Sequence, residues 1–262
     1  MDIIIDVNKS IEQNAEIYFE KAKKLKKKIP SIKKTIVDNK HKLEAIESKE
    51  EFTVSKSKTF VTKKEWYEKY RWFHSSDGFL VVGGRDATTN EILIKKNTEK
   101  NDIVFHTELP GSPFVVIKNP DDKTIPESTI TEAAEFCASF SKSWKSGRTT
   151  AEVYHITPEQ VSKEAPAGTG HLAKGSFMIY GKRNYMTPKI NLAICTYDDK
   201  IMAGPLSAIA NHTKKYVEII PGNDKLSDVA KKVIKIIGGD LDTIVRSLPS
   251  ECTIKKINHK ED

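Results

Sequence analysis

An apolar seam with a single period governs the first fifth of the chain. Ile11, Ala15, Tyr18, Ala22, Leu25, Ile29, Ile32, Ile36, Asn39, Leu43 and Ile46 follow one another at alternating steps of four and three. Such a step repeats every seven residues, so these side chains line one stripe of an α-helix and predict a long coiled-coil helix over residues 8–48. Asn39 is the polar position of the seam, a residue type that fixes register in coiled coils. Pro30 either kinks or ends the helix, and the unbroken register across it favours a kink. Lys21, Lys23, Lys24, Lys26, Lys27, Lys28, Lys33 and Lys34 crowd the rest of the helix, either as a solvated face or as a cationic one.

Beyond a polar linker (49–60) the period changes. Short runs of alternating or continuous apolar residues predict strands at 79–83, 91–96, 102–107, 113–118, 151–157, 175–181 and 190–197. One helix is expected over about 129–145, opened by a Thr129–Glu132 capping box. A strand near Tyr216–Ile220 precedes two helices, one stopped by Gly238-Gly239 and the next by Pro249. The predicted class is α+β. The long helix and linker (1–58) lead into a mixed, largely antiparallel sheet domain with packed helices (59–190), followed by a small C-terminal α/β subdomain (191–262).

The 262 residues carry 43 Lys and Arg against 36 Asp and Glu, a formal net charge of +7. That balance favours an acidic partner, nucleic acid first. No apolar run approaches a membrane span, and no leader sequence is legible around Ile3-Ile4-Ile5. Cys137, Cys195 and Cys252 form no metal or disulfide pattern, and the natural expectation is a cytoplasmic protein without membrane contact. No P-loop, GxSxG, HExxH or GxGxxG string occurs, so neither a cofactor nor a metal is expected. Asp86, Glu91, His106, Glu108 and Glu132 could be gathered into a metal-dependent nuclease site, but their spacing fits no ligand pattern. The expectation is therefore a binding protein rather than an enzyme.

Two stretches stand out as binding surfaces. In "WYEKYRWFHSSDGFLVVGGRDATTNE" (66–91) an amphipathic helix over 63–73 would bury Trp66, Tyr70 and Phe73 and turn Tyr67 and Trp72 outward, where a base could stack. Gly83 and Gly84 form a structural turn needing positive φ. Arg85 beside Asp86 is either an internal pair or a phosphate contact. In "KGSFMIYGKRNY" (174–185) cations stand at both ends of a strand, inside a window from 165 to 197 that holds no Asp or Glu. Clustered cations of this kind are what phosphate contact requires. The RNA-binding candidates are Tyr67, Arg71, Trp72, Arg85, Asn90, Lys95, Lys118, Lys163, Lys174, Lys182, Arg183 and Asn184.

Several strings together resemble the C-terminal RNA-binding module of the NFACT family, the ribosome-associated quality-control family. They are residues 66–91, "DIVFHTELPGSPFVVIKN" (102–119), "IPESTITEAAEFCASFSKSW" (125–144) and "PEQVSKEAPAGTGHLAKGSFMIYGKRNY" (158–185). Residues 5–24 resemble the start of the family's second coiled-coil helix. "KYVEIIPGNDKLSDVAKKV" and "DLDTIVRSLPSE" are similar to the tail of archaeal members. The resemblance is thus to the second half of a full-length protein, with Met1 either a natural start or a fragment boundary. Matching strings carry over Trp72, Asp77, Gly83, Gly84, Arg85, Asp86, Asn90, Glu91, His106, Lys118, Asn119, Glu132, Gln160, Ser162, Lys163, Gly175, Phe177, Gly181, Lys182 and Asn184. The chain departs at Pro110, where members usually carry a second His, and at "PAGTGHL" (166–172), where Thr169 replaces a Glu.

The resemblance implies binding to the large ribosomal subunit, rRNA and tRNA at stalled peptidyl-tRNA complexes, without itself driving C-terminal tailing. It also implies a coiled-coil partner for the seam, either a separate N-terminal NFACT half or a weak homodimer. The alternatives are an RNA-processing or RNA-modification enzyme, or a protein–protein scaffold using the unpaired seam.

Overall fold

The computed structural model describes residues 5–6, 9–50, 65–109, 111–164 and 172–259, with the side chains of 34, 38, 40–50 and 259 excepted. The linker beyond residue 50, Pro110 and the loop at 165–171 lie outside the described residues, as do the side chains of Leu43 and Ile46. The chain divides into two units, Met1–Lys63 and Lys64–Asp262.

The first unit is built on helix α1 (Ile11–Glu50), which runs through Pro30 rather than ending at Ile29. Ser10 caps it reciprocally. Its Oγ accepts from the Gln13 amide at 3.2 Å, and the Gln13 side chain accepts from the Ser10 amide at 3.0 Å. Asn14, silent in the sequence pattern, is buried: its side chain accepts from Asp6 N at 2.9 Å and donates to the Asp6 and Ser10 carbonyls. The seam residues Ile11, Tyr18, Leu25, Ile29, Ile32 and Ile36 are exposed, and so is Asn39.

The second unit is sheet-based. A 3₁₀ turn (Trp66–Lys69) leads into β1 (Arg71–His74) and β2 (Leu80–Gly83). Then come α2 (Ala87–Lys96), β3 (Ile103–Thr107), β4 (Val115–Ile117), α3 (Glu127–Ser139), α4 (Lys142–Lys145) and β5 (Val153–Ile156). Short strands β6 (Val161–Ser162) and β7 (Met178–Ile179) pair with each other, and β8 (Asn184–Met186) closes a six-stranded antiparallel sheet of order β1-β2-β4-β3-β5-β8. A second sheet of order β10-β9-β11-β12 uses β9 (Leu192–Tyr197), β10 (Lys200–Gly204), β11 (Lys215–Pro221) and β12 (Cys252–His259), with α5 (Leu206–His212), α6 (Leu226–Ile237) and α7 (Leu241–Ser247) between its strands.

Alternation along the strands explains the layering, because successive side chains point to opposite faces. Val81, Phe105, Val115, Ile117 and Val153 share one buried cluster with α3 and with the second sheet, through Phe136, Cys137, Leu192, Ile194 and Val217. Their neighbours Val82, Val104, Val116, Tyr154 and Ile156 bury the other face with Leu93 of α2 and Phe114. Both faces are covered, so the strands read as continuous apolar runs.

Several sequence expectations change, and the one helix expected over about 129–145 is two, α3 and α4, with Ser141 capping the second. Residues 91–96 are the end of α2, not a strand. The alternation of Ile92 and Ile94 is real, but Asp86 caps a helix there by accepting the Thr89 amide at 2.8 Å. The expected helix over 63–73 is a 3₁₀ turn followed by β1, which buries Trp72 with Tyr70 and Phe73 and leaves Trp66 39% exposed. Thr129 and Glu132 form no capping box, since Pro126 starts α3. Instead Thr129 donates to Asp77, while Glu132 accepts from the Ser76 amide and the Ser207 hydroxyl. The strand expected over 175–181 shrinks to β7, flanked by Gly175 and Gly181, both at positive φ.

Neither Gly83 nor Gly84 adopts positive φ. Their role is close approach. A Cβ on Gly83 would stand 3.0 Å from Phe136 of α3, and one on Gly84 would stand 1.8 Å from Asn90 Oδ1 and 3.0 Å from Asn90 Cα. Gly84→Ala therefore forces α2 off the sheet. Overpacking of this kind costs about 1–3 kcal/mol. It should lower the melting temperature by roughly 4–8 °C for a loss of about 2 kcal/mol in a unit of this size. Thermal denaturation of the two proteins side by side checks this, and an unchanged midpoint would contradict it.

Candidate nucleic-acid interface

The end of β2, the start of α2, the β3–β4 connection and the 172–177 loop meet around one open cleft of about 520 Å³. Arg71, Arg85, Asn90, Lys174 and Arg183, five residues singled out by the sequence, line it together. Its floor is aromatic: His106 stacks on Phe114 at 4.3 Å, and Phe177 meets Phe114 edge-on at 5.3 Å. A shallower depression of about 110 Å³ shares Arg71, Gly111 and Phe140 with the cleft and is lined further by Lys142 and Lys145.

Arg71 comes from β1, where strand pairing carries it alongside Gly83. Its Nη1 donates to Gly84 O at 3.0 Å and its guanidinium lies 4.4 Å from the Phe140 ring centre. Nε is buried and has no acceptor. Burial, then the neighbouring Arg85, pull its pKa down to about 10. Arg85 stands one residue beyond β2, after Gly84, and is half-buried, and its backbone N–H is tied to Thr89 Oγ1 at 2.8 Å. Its guanidinium has no hydrogen-bond or ion-pair partner among the described residues. Burial and Arg246 of α7 lower its pKa, and Asp86 only partly opposes them. Of the two readings of Arg85, the internal pair with Asp86 is not formed: Asp86 is the cap of α2.

Glu91 of α2 holds the opposite wall. It accepts from Lys95 Nζ at 2.7 Å, from the Gly175 amide at 2.9 Å and from Lys163 Nζ at 3.3 Å. Lys163 in turn donates to the carbonyls of Ala173 and Ser176 at 2.8 and 2.9 Å. Lys95 and Lys163 therefore fasten the loop that presents Lys174. Gly175 permits the contact, since a Cβ there would stand 2.6 Å from Ala87 Cα.

The remaining candidates divide. Lys118 is withdrawn from solvent, paired with Asp102 and donating to Asn97 O at 2.9 Å. Trp72 is buried, and Tyr67 packs on it at 4.9 Å, with Lys200 Nζ 5.5 Å from the centre of the Tyr67 ring. None of these three is an open stacking face. Lys182 and Asn184 are exposed. The window free of acids in sequence is not so in space: Glu108, 75 residues away, binds the Arg183 guanidinium and accepts from Tyr185 OH at 2.6 Å. Sequence reasoning missed Arg246 and Lys142, exposed cations with no carboxylate partner among the described residues. Only the fold relates them to this surface: Arg246 is near enough to depress the protonation of Arg85, and Lys142 lines the shared depression.

The carboxylates once grouped as a possible metal site are each committed elsewhere: Asp86 to a cap, Glu91 to the loop, Glu108 to Arg183 and Glu132 to Ser76 and Ser207. Among the described residues no three His, Cys, Asp or Glu side chains are placed to hold a metal ion, and no helix is long and apolar enough to cross a membrane.

A family described as the NFACT protein RNA binding domain matches residues 69–181. The archaeal Rqc2 homolog aRqcH of Methanocaldococcus jannaschii is 39% identical over 216 residues, 79% of this chain and 32% of that protein. The human ribosome quality control complex subunit NEMF is 36% identical over 67% of this chain and 16% of its own length. Subunit 2 of the Saccharomyces cerevisiae ribosome quality control complex is 28% identical over 72% of this chain and 18% of its own length. The chain thus spans a third or less of the length of these relatives.

Glu91 yields a pH signature. Lys95 first, then the Gly175 amide and Lys163, hold its carboxyl at about 2, down from 4.5. A depressed carboxylate stabilises the fold above its unfolded value and ceases to do so as pH falls through the folded one. The melting-temperature gap between wild type and Glu91→Gln should be full near neutral pH and close between pH 4.5 and about 2. A gap that persists unchanged at the acid end would show that the clamp is not electrostatic.

Proposed function

The chain belongs to the NFACT family, whose RNA-binding module it carries over residues 69–181, and from this premise we propose that it is the RNA-contacting part of a ribosome quality-control factor. In this reading it associates with the large ribosomal subunit through rRNA or tRNA. The observation that carries the reading is the set of open cations at one surface: Arg85, Lys174, Lys142 and Arg246 have no carboxylate partner among the described residues, whereas Lys95, Lys118, Lys163 and Arg183 do. Unpaired cations release condensed counterions when they meet phosphate, which is the main source of RNA affinity. The cleft carboxylates hold structure, so binding without turnover is the simplest activity for this surface. C-terminal tailing, in this reading, needs parts of the factor other than these residues.

Titrating the chain with a structured RNA at about 50 and about 200 mM salt tests this. Arg85→Ala with Lys174→Ala should keep the melting temperature within a few degrees, because neither side chain holds anything in place. Binding should weaken and the slope of log affinity against log salt should shrink by about 2, one for each lost phosphate contact. An unchanged slope would move RNA binding to another surface.

The exposed stripe of α1 supports a coiled-coil partner. Ile11, Leu25, Ile29, Ile32 and Ile36 lie open along one seam, with Ile17, Phe19 and Val37 beside it. Contiguous apolar surface of this extent usually marks an interface. The lysine-rich flank from Lys21 to Lys34 opposes a parallel copy of itself, and salt screens that repulsion. Sedimentation should show self-association that strengthens at high salt, or tight pairing with an N-terminal NFACT half supplied in trans. A monomer under both conditions, with α1 still helical, would contradict the interface.

A further inference from the structure

We propose that the cleft at the start of α2 receives one unpaired RNA nucleotide, its phosphate against Arg71, Arg85 and Lys174 and its base against Phe177. This rests on the RNA-binding reading and specifies which part of an RNA enters. Three observations converge. The first is shape. A cleft of about 520 Å³ is in the range that encloses a small molecule rather than a helix. Double-stranded RNA carries its phosphates on a convex surface, which a cleft of this size does not enclose.

The second is an unmet donor. Arg71 spends Nη1 on Gly84 O, yet its Nε is buried without an acceptor. A charged donor buried in this state is costly, and a phosphate oxygen is the acceptor that a guanidinium fork fits. Arg85, also unpartnered, lines the same end of the cleft, where the ten-residue helix α2 begins.

The third is the rest of the lining. Phe177 is half-buried and lines the cleft. Asn90 commits Oδ1 to the Phe114 amide at 3.1 Å, and its Nδ2 has no acceptor among the described residues. An amide donor beside an aromatic ring suits the edge and face of a base. Cations alone would describe a backbone groove; cations together with an aromatic ring and a free amide donor in one cleft describe a nucleotide.

The test uses the full chain and three RNA hairpins, identical but for one position: a single bulged adenosine, an abasic bulge, or none. Binding is followed by fluorescence anisotropy at low salt. The bulged adenosine should bind about tenfold more tightly than the other two, as one stacked base contributes. Ser176→Trp, at an exposed position on the cleft, should abolish that difference while leaving affinity for the fully paired hairpin intact. Phe177→Leu should shrink it, and serves if the tryptophan variant melts early. Equal affinities for adenosine and abasic bulges, with RNA still bound, would overturn the nucleotide site and spare the RNA-binding reading. Discrimination that survives Ser176→Trp in a folded protein would overturn it too. If no hairpin binds, both readings fall.

Discussion

The backbone of Gly84 is the point on which the second unit turns. Its N–H donates to Phe114 O at 3.0 Å, continuing the sheet past the last β2–β4 pair. Its carbonyl accepts from Arg71, and its Cα lies against Asn90 with no room for a Cβ. Three elements are thereby brought within a side chain's reach: β1 through Arg71, the β3–β4 connection through Phe114, and α2 through Asn90. Asn90 closes the circle by accepting from the Phe114 amide. The cleft exists because the chain leaves the sheet here and enters a helix immediately, with Asp86 capping it two residues later. A larger residue at 84 would separate α2 from the sheet, and with it Arg85 from Arg71.

Charge in this protein is managed by pairing across long sequence distances. Glu108 reaches Arg183, Glu91 reaches Lys163 and Asp102 reaches Lys118. Each contact removes one cation from the set that a count of sequence charge makes available. Among the cations that stay open, Arg85 and Lys174 line the cleft together. Burial and a neighbouring cation, Arg85 beside Arg71 and Arg246 beside Arg85, depress the protonation of both arginines, the condition of a site whose natural counter-charge is an incoming anion. Surface ion pairs contribute little to stability on their own. Here their consequence is selection: they decide which lysines and arginines are left to bind.

The two units place different demands on the chain. In the sheet unit apolar surface is satisfied internally, both faces of the six-stranded sheet being covered. In α1 the apolar seam is exposed along the helix, and the local stability visible in the residues comes from the Ser10 cap and the Asn14 bracket at its start. A helix of that composition depends on a partner to bury its stripe, since propensity alone leaves an isolated helix marginal.

Much was legible in the residues themselves. The heptad step predicted α1, and apolar runs predicted β2, β3, β4, β5 and β9, because burial on one or both faces writes a period into the sequence. The strings that resemble the NFACT module marked the same stretch that a family match delimits. Arg71, Arg85, Lys174 and Arg183 were named as separate candidates for their charge, and Asn90 from the resemblance. That they share one cleft was not legible, and neither was the withdrawal of Trp72 and Lys118, because strand pairing and burial are relations between distant residues. Residues 91–96 misled for the same reason: Ile92 and Ile94 alternate as a strand would, and only the Asp86 cap together with the contact at Gly84 selects the helix. Sequence alone determined the periodic elements and the excess of positive charge. Tertiary structure decided which charges stay unpaired, since pairing depends on distance in space, and order along the chain does not encode it.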